Sequence, residues 1–530
     1  MKNTENAIRA GQTCIGIEFG STRIKAVLNG PDHKPLAAGV HDWCNRFENG
    51  IWTYSLESVR EGLQACFADL MKNVEETCGV KLTNCAGFGV SAMMHGYLAF
   101  DADGNLLTPF RTWRNTMTEK AADKLTDTFS FNIPQRWSIA HLYQAILNDE
   151  PHVRDIRFLT TLAGYVHWLL TGQKVLGVGD ASGIFPIDPQ TGSYDSKMCA
   201  AFERLTVDTA FQQKLTDILP AIVPVGETAG MLSEAGAKLL DPTGTFQAGV
   251  PFCPPEGDAQ TGMAATNSIT PKTGNVSAGT SIFSMIVLER NLKAVHKEID
   301  IVTTPCGDPV AMVHCNNCSS DLDAWAGLFG QVLRAAGTDL PKSELYNLIY
   351  SLADQGDSDC GSVISYNYFA GEPVTGLSAG KPLLLRSPDA AFSAANLMRS
   401  LVYSCMATLK IGNDILIREE QVQLERIYAH GGLFKNPSVT QPILAAMLNV
   451  DVTLMQSAGE GGAWGIALLA AYMARENRAE SLSDYLNRHV FADTEGVTVS
   501  PKQLDPDGIG RYMNAYCAGL AAERAAVREL

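Results

Sequence analysis

Gly16-Ile-Glu-Phe-Gly-Ser-Thr-Arg-Ile-Lys-Ala-Val-Leu28 decides how the rest of the chain is read. Two apolar segments flank Gly20-Ser21-Thr22, and the acid Glu18 stands just before the turn. A turn that only reverses the chain is usually Asn-Gly or Asp-Gly. Gly-Ser-Thr instead offers bare backbone N–H groups and two hydroxyl donors, the chemistry that a phosphate anion requires. The pattern returns in Asn275-Val-Ser-Ala-Gly-Thr-Ser-Ile-Phe-Ser-Met-Ile-Val-Leu288, where Gly279-Thr280-Ser281 matches Gly20-Ser21-Thr22 about half a chain length later. Either turn alone could be an ordinary connection between strands. Two at this spacing predict a pair of related domains, each opening on a phosphate-type hairpin, which together grip one polyphosphate across a cleft.

With 530 residues the chain is too long for a single core. Two domains are expected, residues 1–267 and 268–530, joined near residues 265–272 without a low-complexity linker. A net charge of −16 argues against a nucleic-acid surface, which needs clustered Lys and Arg. The opening MKNTENAIRA has no apolar core, so no secretory signal is expected, and the apolar run 465–474 is about half a membrane span. Thirteen Cys without regular spacing fit reduced thiols in the cytoplasm. Cys315-x-x-Cys318 has no second ligand pair at zinc spacing and is read as incidental. A homodimer would be an ordinary assembly, but no motif speaks to it.

Apolar spacing predicts helices over residues 56–74, 154–170, 390–417, 437–448 and 461–474. Strands are expected over 85–91, from 97 into the turn at 104, and over 426–430 before Gly431-Gly432. Just before the domain joint stands Pro254-Pro-Glu-Gly-Asp-Ala-Gln-Thr-Gly262, a loop fixed by proline and glycine around Asp258. Gly-Asp is a common turn or helix-cap pair. Beside two phosphate-type hairpins, Asp258 is instead read as the carboxylate that accepts a hydroxyl proton during phosphoryl transfer.

Together these motifs resemble the FGGY-type carbohydrate kinases of the actin/hexokinase/Hsp70 ATPase superfamily, along nearly the whole chain. The resemblance rests on both hairpins, on Ser91-Ala-Met-Met-His-Gly96 with Asp101-Ala-Asp-Gly104, and on Pro109-Phe-Arg-Thr-Trp-Arg-Asn115. It continues through Leu170-Thr-Gly172 with Asp180-Ala-Ser182, Tyr366-Asn-Tyr-Phe-Ala-Gly-Glu372, Gly431-Gly-Leu-Phe-Lys-Asn436 and Glu460-Gly-Gly-Ala-Trp-Gly-Ile-Ala467. It implies two ribonuclease-H-like α/β domains, each a mixed five-stranded sheet flanked by helices, with a cleft between them. It also implies ATP with Mg²⁺ as phosphoryl donor and an open-chain sugar as acceptor.

By the same resemblance Asp258 is the catalytic base, and Glu18 and Asp258 are the candidate metal carboxylates. Gly20, Ser21, Thr22, Lys25, Gly279, Thr280, Gly432 and Asn436 match nucleotide contacts. Met94, His95, Trp113, Asn115 and Gln260 match the sugar-reading positions, where hydrogen-bonding groups sort hydroxyl stereochemistry. For His95 a buried structural histidine is the competing reading, for Trp113 plain core, and for Asn436 a helix N-cap. Glu18 stands where the family usually has Asp, Met93 where Gln is frequent, and Gln260 departs from the commoner Gly-Asp-Asn. The Met-His-Gly loop leans toward xylulokinase-like members. The Phe-Gly-Ser hairpin and residues 321–325 lean toward ribulokinase-like ones, so D-xylulose and L-ribulose both stand as acceptors. The alternatives are a sugar-independent ATPase switch of the same superfamily and a non-catalytic sugar sensor.

Overall fold

The computed structural model describes residues 2–455, 461–494 and 496–530. The chain forms two compact units, one of Met1–Ile269, Ile301–Val310 and Glu460–Thr494, the other of Thr270–Asp300, Ala311–Gly459 and Glu495–Leu530. Neither unit is a single run of sequence.

The first unit is organised by strands β1 (Cys14–Phe19), β2 (Arg23–Asn29), β3 (Pro35–Asp42), β4 (Gly87–Ala92), β5 (Gly230–Met231), β6 (Pro251–Phe252) and β7 (Glu256–Gly257). They lie in the order β5-β6-β4-β1-β2-β3, with β7 also paired to β4. β1, β2 and β3 are antiparallel neighbours, whereas β4 runs parallel to β1. A mixed five-stranded core is therefore present, with short β5 added at its edge and short β7 paired to the interior strand β4.

Period-two alternation along β1 sends its residues to two different helices. Ile15, Ile17 and Phe19 share one apolar core with Leu63 and Phe67 of helix Leu56–Cys78. The opposite face carries Gly16 and Glu18, and there helix Gly461–Met473 packs. That helix lies so close that a Cβ on Gly16 would stand 2.1 Å from the Ala463 carbonyl oxygen and 2.6 Å from the Ala467 nitrogen. Gly89 relieves the same approach against Ile466, and Gly465 admits a second helix, Asp258–Ala265, at its Thr261 carbonyl. The Ala- and Gly-rich composition of this helix is thus a packing requirement. Its sequence neighbour Glu460 lies outside the described residues.

The second unit repeats the plan with β8 (Thr273–Ala278), β9 (Ile282–Val287), β10 (Pro309–Cys315), β11 (Arg426–His430), β12 (Asp451–Met455) and β13 (Gly496–Val499). The order is β10-β9-β8-β11-β12-β13. β8 and β9 form the second antiparallel hairpin, and β11 and β12 continue parallel to β8. Helix Ala394–Asp414 is buried along most of its length, with Gly412 against Val313.

The expected helix over 154–170 is shorter. Phe158–Thr160 forms a strand paired with Leu98–Phe100, and Thr161 then caps helix Leu162–Thr171 through Gly164. A distant strand partner claimed residues that helical periodicity alone would have kept. Among the described residues no helix is long and apolar enough to cross a membrane.

Gly16→Ala is expected to lower the stability of the first unit by about 1–3 kcal/mol, the usual range for forcing atoms into a packed contact. Gly327→Ala, where a Cβ meets nothing within 4 Å, is expected to be neutral or slightly stabilising. Urea denaturation followed by tryptophan fluorescence compares the two; equal midpoints would contradict the packing account.

Candidate active site

β7 runs parallel to β4, with Glu256 opposite Ser91 and Gly257 opposite Ala92. The segment leaving β4 therefore passes beside the start of helix Asp258–Ala265. The Met94 N–H donates to Asp258 Oδ1 at 3.3 Å, and the Ala259 N–H donates to the same oxygen at 2.9 Å. Burial pushes the Asp258 carboxyl up to about 6, against the pull of these donors. Met94 also packs on Gly257, where a Cβ would stand 2.3 Å from the Met94 Cγ.

His95 follows in the left-handed region at φ 65°, with Gly96 at φ 91°. Such a conformation in a non-glycine residue is costly and survives where its surroundings fix it. Here the ring is buried, stacks on Trp137 at 5.8 Å and sits 3.1 Å from the Gly183 carbonyl oxygen through Nδ1. It is a hydrogen-bonded buried histidine, one residue after Met94, whose backbone N–H bonds Asp258.

Glu18 lies in register with Ser91 of β4 and Lys25 of β2. Its Oε2 accepts the Ala463 N–H at 3.1 Å, which puts the carboxylate at the positive end of helix Gly461–Met473. Burial and the charge of Asp258 push Glu18 up to about 7, while the Ala463 N–H and Lys25 pull it down. A Cβ on Gly462 would stand 2.5 Å from Glu18 Oε1, so glycine admits the acid to this helix end. Glu18, Lys25 and Asp258 thus interact within one unit.

Two further acids lie beneath them that motif reading did not single out as site residues. Asp180 is fully buried; its Oδ2 accepts the Thr161 hydroxyl at 2.6 Å, and its Oδ1 has no hydrogen-bond partner among the described residues. The Asp180 N–H donates to Glu256 Oε2 at 2.8 Å. Burial, reinforced by Asp258, pushes Asp180 up to about 7, and burial with the Asp180 charge raises Glu256 well above the ordinary carboxylate range. The signal available in sequence was acid between small residues, in Gly-Val-Gly-Asp-Ala-Ser and in Pro-Pro-Glu-Gly-Asp.

Gln260 is wholly buried and donates through Nε2 to the Thr303 carbonyl at 3.0 Å. Asn115 spends its amide on backbone: Oδ1 accepts the Trp52 N–H at 2.9 Å, and Nδ2 donates to the Trp52 and Thr112 carbonyls at 2.8 and 2.9 Å. Both amides therefore hold loops in shape. Trp113 is half-buried against the first unit's core.

The first hairpin tip is braced from behind. Trp43 donates through Nε1 to the Gly20 carbonyl at 2.8 Å and through its backbone N–H to Thr22 at 3.1 Å, and Tyr54 donates to the Ser21 carbonyl at 2.6 Å. Trp43 and Tyr54 stack at 4.2 Å. In the second unit the carbonyls of Gly279 and Thr280 accept the N–H groups of Ser319 and Cys318. A Cβ on Gly431, at φ 108°, would stand 2.3 Å from the Ala278 carbonyl oxygen, so the Gly431-Gly432 loop closes directly on the hairpin. At Gly279 and Gly432 a Cβ would meet nothing within 4 Å, which leaves open backbone on both elements. Asn436 precedes helix Pro437–Leu448 without a side-chain capping bond.

Comparison with known proteins agrees with this architecture. The model of the FGGY family of carbohydrate kinases, N-terminal domain, matches residues 13–264, and that of the C-terminal domain matches residues 274–474. The chain belongs to the FGGY family of carbohydrate kinases and is an ATP-dependent sugar kinase. A xylulose kinase of Haemophilus influenzae is 23% identical over 487 residues, covering 89% of this chain and 92% of the relative. The fold is also that of the ligand-bound xylulose kinase of Lactobacillus acidophilus, with a TM-score of 0.78 at 16% identity over 98% of this chain and 99% of that one. A gluconate kinase of the same organism superposes as well, with a TM-score of 0.77, 16% identity and coverage of 98% and 99%.

Asp180 holds its proton more tightly folded than unfolded, since about 7 lies above the ordinary value of about 4. Its stabilising contribution is fully present below about pH 4 and is lost as pH rises through about 7. Asp180→Asn, which stays neutral, is expected to gain stability relative to the parent as pH is raised from 5 to 8. Thermal midpoints across that range test this; a pH-independent difference would be the contrary result.

Proposed function

We propose that this kinase transfers the γ-phosphoryl group of ATP to the terminal hydroxyl of an open-chain ketopentose, D-xylulose or L-ribulose, with Asp258 as general base. The observation that carries the base assignment is the partly exposed carboxylate at a helix start, held by the Met94 and Ala259 N–H groups and pushed up to about 6 by burial. At neutral pH it is ionised and able to accept a proton, yet close enough to the working pH to release it afterwards. The similarity to xylulose kinases supports the ketopentose.

In this reading residues 1–267 supply sugar recognition and the base, and residues 268–530 bind the nucleotide. Met94 and His95 bound the sugar, Trp113 contributes an aromatic edge, and Asn115 and Gln260 hold the loops that present it. Gly20, Ser21 and Thr22 in one hairpin, and Gly279 and Thr280 in the other, contact phosphates through backbone N–H and hydroxyl groups. Gly432 and Asn436 contact the base and ribose. The open backbone at Gly279 and Gly432 fits such close approach.

Glu18 and Asp258 offer an oxygen-only donor set, which suits Mg²⁺ completed by water and phosphate. When bound, the ion neutralises charge on the transferred group. Glu18 is held by the Ala463 N–H, and this suits contact through a metal-bound water, which tolerates Glu in place of Asp. Exclusion of water then protects ATP from hydrolysis. Thirteen free thiols support a cytoplasmic setting.

ADP release measured with ketoses, aldoses and polyols is expected to rise sharply only with a ketopentose. Sugar-independent hydrolysis would favour an ATPase switch, and sugar binding without turnover a sensor. Asp258→Asn is expected to keep nucleotide affinity and lose about 10²–10⁴-fold in turnover. In the parent enzyme, kcat/KM should fall about tenfold per pH unit below about 6. Near-normal turnover in the variant, or a flat profile through pH 6, would remove Asp258 from the role.

A further inference from the structure

The second unit carries a cavity of about 670 Å³ that the kinase reading leaves unused. Residues 421–424 lead into β11, residues 448–450 lead into β12, and Arg290 lies just beyond the end of β9; all of them line it. It therefore sits at the starts of the parallel strands, while Gly279 and Gly431 follow the ends of β8 and β11. Five residues of β11, roughly 17 Å at about 3.3 Å each, separate the two ends. This is a different place from the proposed nucleotide contacts.

The lining is cationic in a chain whose net charge is −16. It holds three cations, Arg290, Lys410 and Arg418, and one carboxylate, Asp414. Lys410 is only 13% exposed and bonds Asp414 at 2.8 Å, and Arg418 approaches the same carboxylate at 3.6 Å. Arg290 donates to the carbonyls of Asn291 and Glu420, which leave its charge uncancelled. The Glu420 carboxylate is turned to the N–H groups of Lys293 and Ala294 and to His296. Ile417 and Leu448 add apolar wall. The volume falls within the ~300–1,000 Å³ typical of small-molecule sites.

We propose that this cavity binds a phosphomonoester of a sugar-sized molecule, with the phosphate dianion between Arg290, Lys410 and Arg418 and its body against Ile417 and Leu448. Two arginines supply planar donor forks matched to phosphate oxygens, and Lys410, paired with Asp414, supplies a point charge. The three cations exceed Asp414 by the charge of one phosphate dianion. The site stands whether or not the nucleotide and sugar assignments hold, because its residues belong to neither.

Methyl-resolved NMR of the full chain, with ribose 5-phosphate and inorganic phosphate as probes, tests it. Saturable shifts at the Ile417 and Leu448 methyls are expected with ribose 5-phosphate, and weaker ones with inorganic phosphate. Arg418→Glu, at a position with a 72% exposed side chain that folding does not need, should weaken binding at least about tenfold. Lys410→Met should weaken it too. Silence of both methyls up to about 10 mM, parent-like affinity in Arg418→Glu, or binding of inorganic phosphate alone would each overturn the proposal.

Discussion

The first unit depends on how closely helix Gly461–Met473 lies on β1. At Gly16 the approach leaves no room for a methyl group, and two residues on, at Glu18, the same face must accept a charged side chain. The helix solves both demands with its own first turn. Gly462 makes space for the carboxylate, and the Ala463 N–H bonds it. Close packing and charge stabilisation are therefore one arrangement: a wider gap would also take the helix end away from the acid. Because Glu18 feels Asp258, the spacing of the helix carries through to the titration of the site.

Buried acids raise the question of how the fold tolerates them. Glu18, Asp180, Glu256 and Asp258 each lie where ionisation is opposed by burial, and each accepts at least one hydrogen bond from an N–H or hydroxyl group. Those bonds lower the cost without cancelling it. Asp258 and Glu18 are the partly exposed members, whereas Asp180 and Glu256 are buried outright. The deeper pair acts as support: Glu256 fixes the turn at Gly179 and Asp180, and that turn presents the Gly183 carbonyl to His95.

Local features were legible in the sequence. Both hairpins, their glycine tips, helix Leu56–Cys78 and helix Pro437–Leu448 form where apolar periodicity and turn residues put them, since each is decided by neighbours within a few positions. Features decided by distant partners were not. Nothing near Asn115 announces that Trp52 will use both ends of its amide, and nothing near Gln260 announces Thr303. Phe158–Thr160 read as helix because its strand partner lies some sixty residues earlier. Asp180 and Glu256 look like ordinary acids until burial gives them their character.

The discontinuous make-up of the first unit bears on its biogenesis. Its sheet is complete once residue 269 has emerged from a ribosome, but the helix that covers Gly16, Gly89 and Glu18 ends only at Met473. Until then a glycine-lined sheet face stays wet during translation of some two hundred further residues, at about 5–20 residues per second. The amino-terminal half is thus obliged to wait tens of seconds for its lid, a window in which chaperone capture competes with maturation, and a nascent chain truncated mid-length would be left with an uncovered sheet.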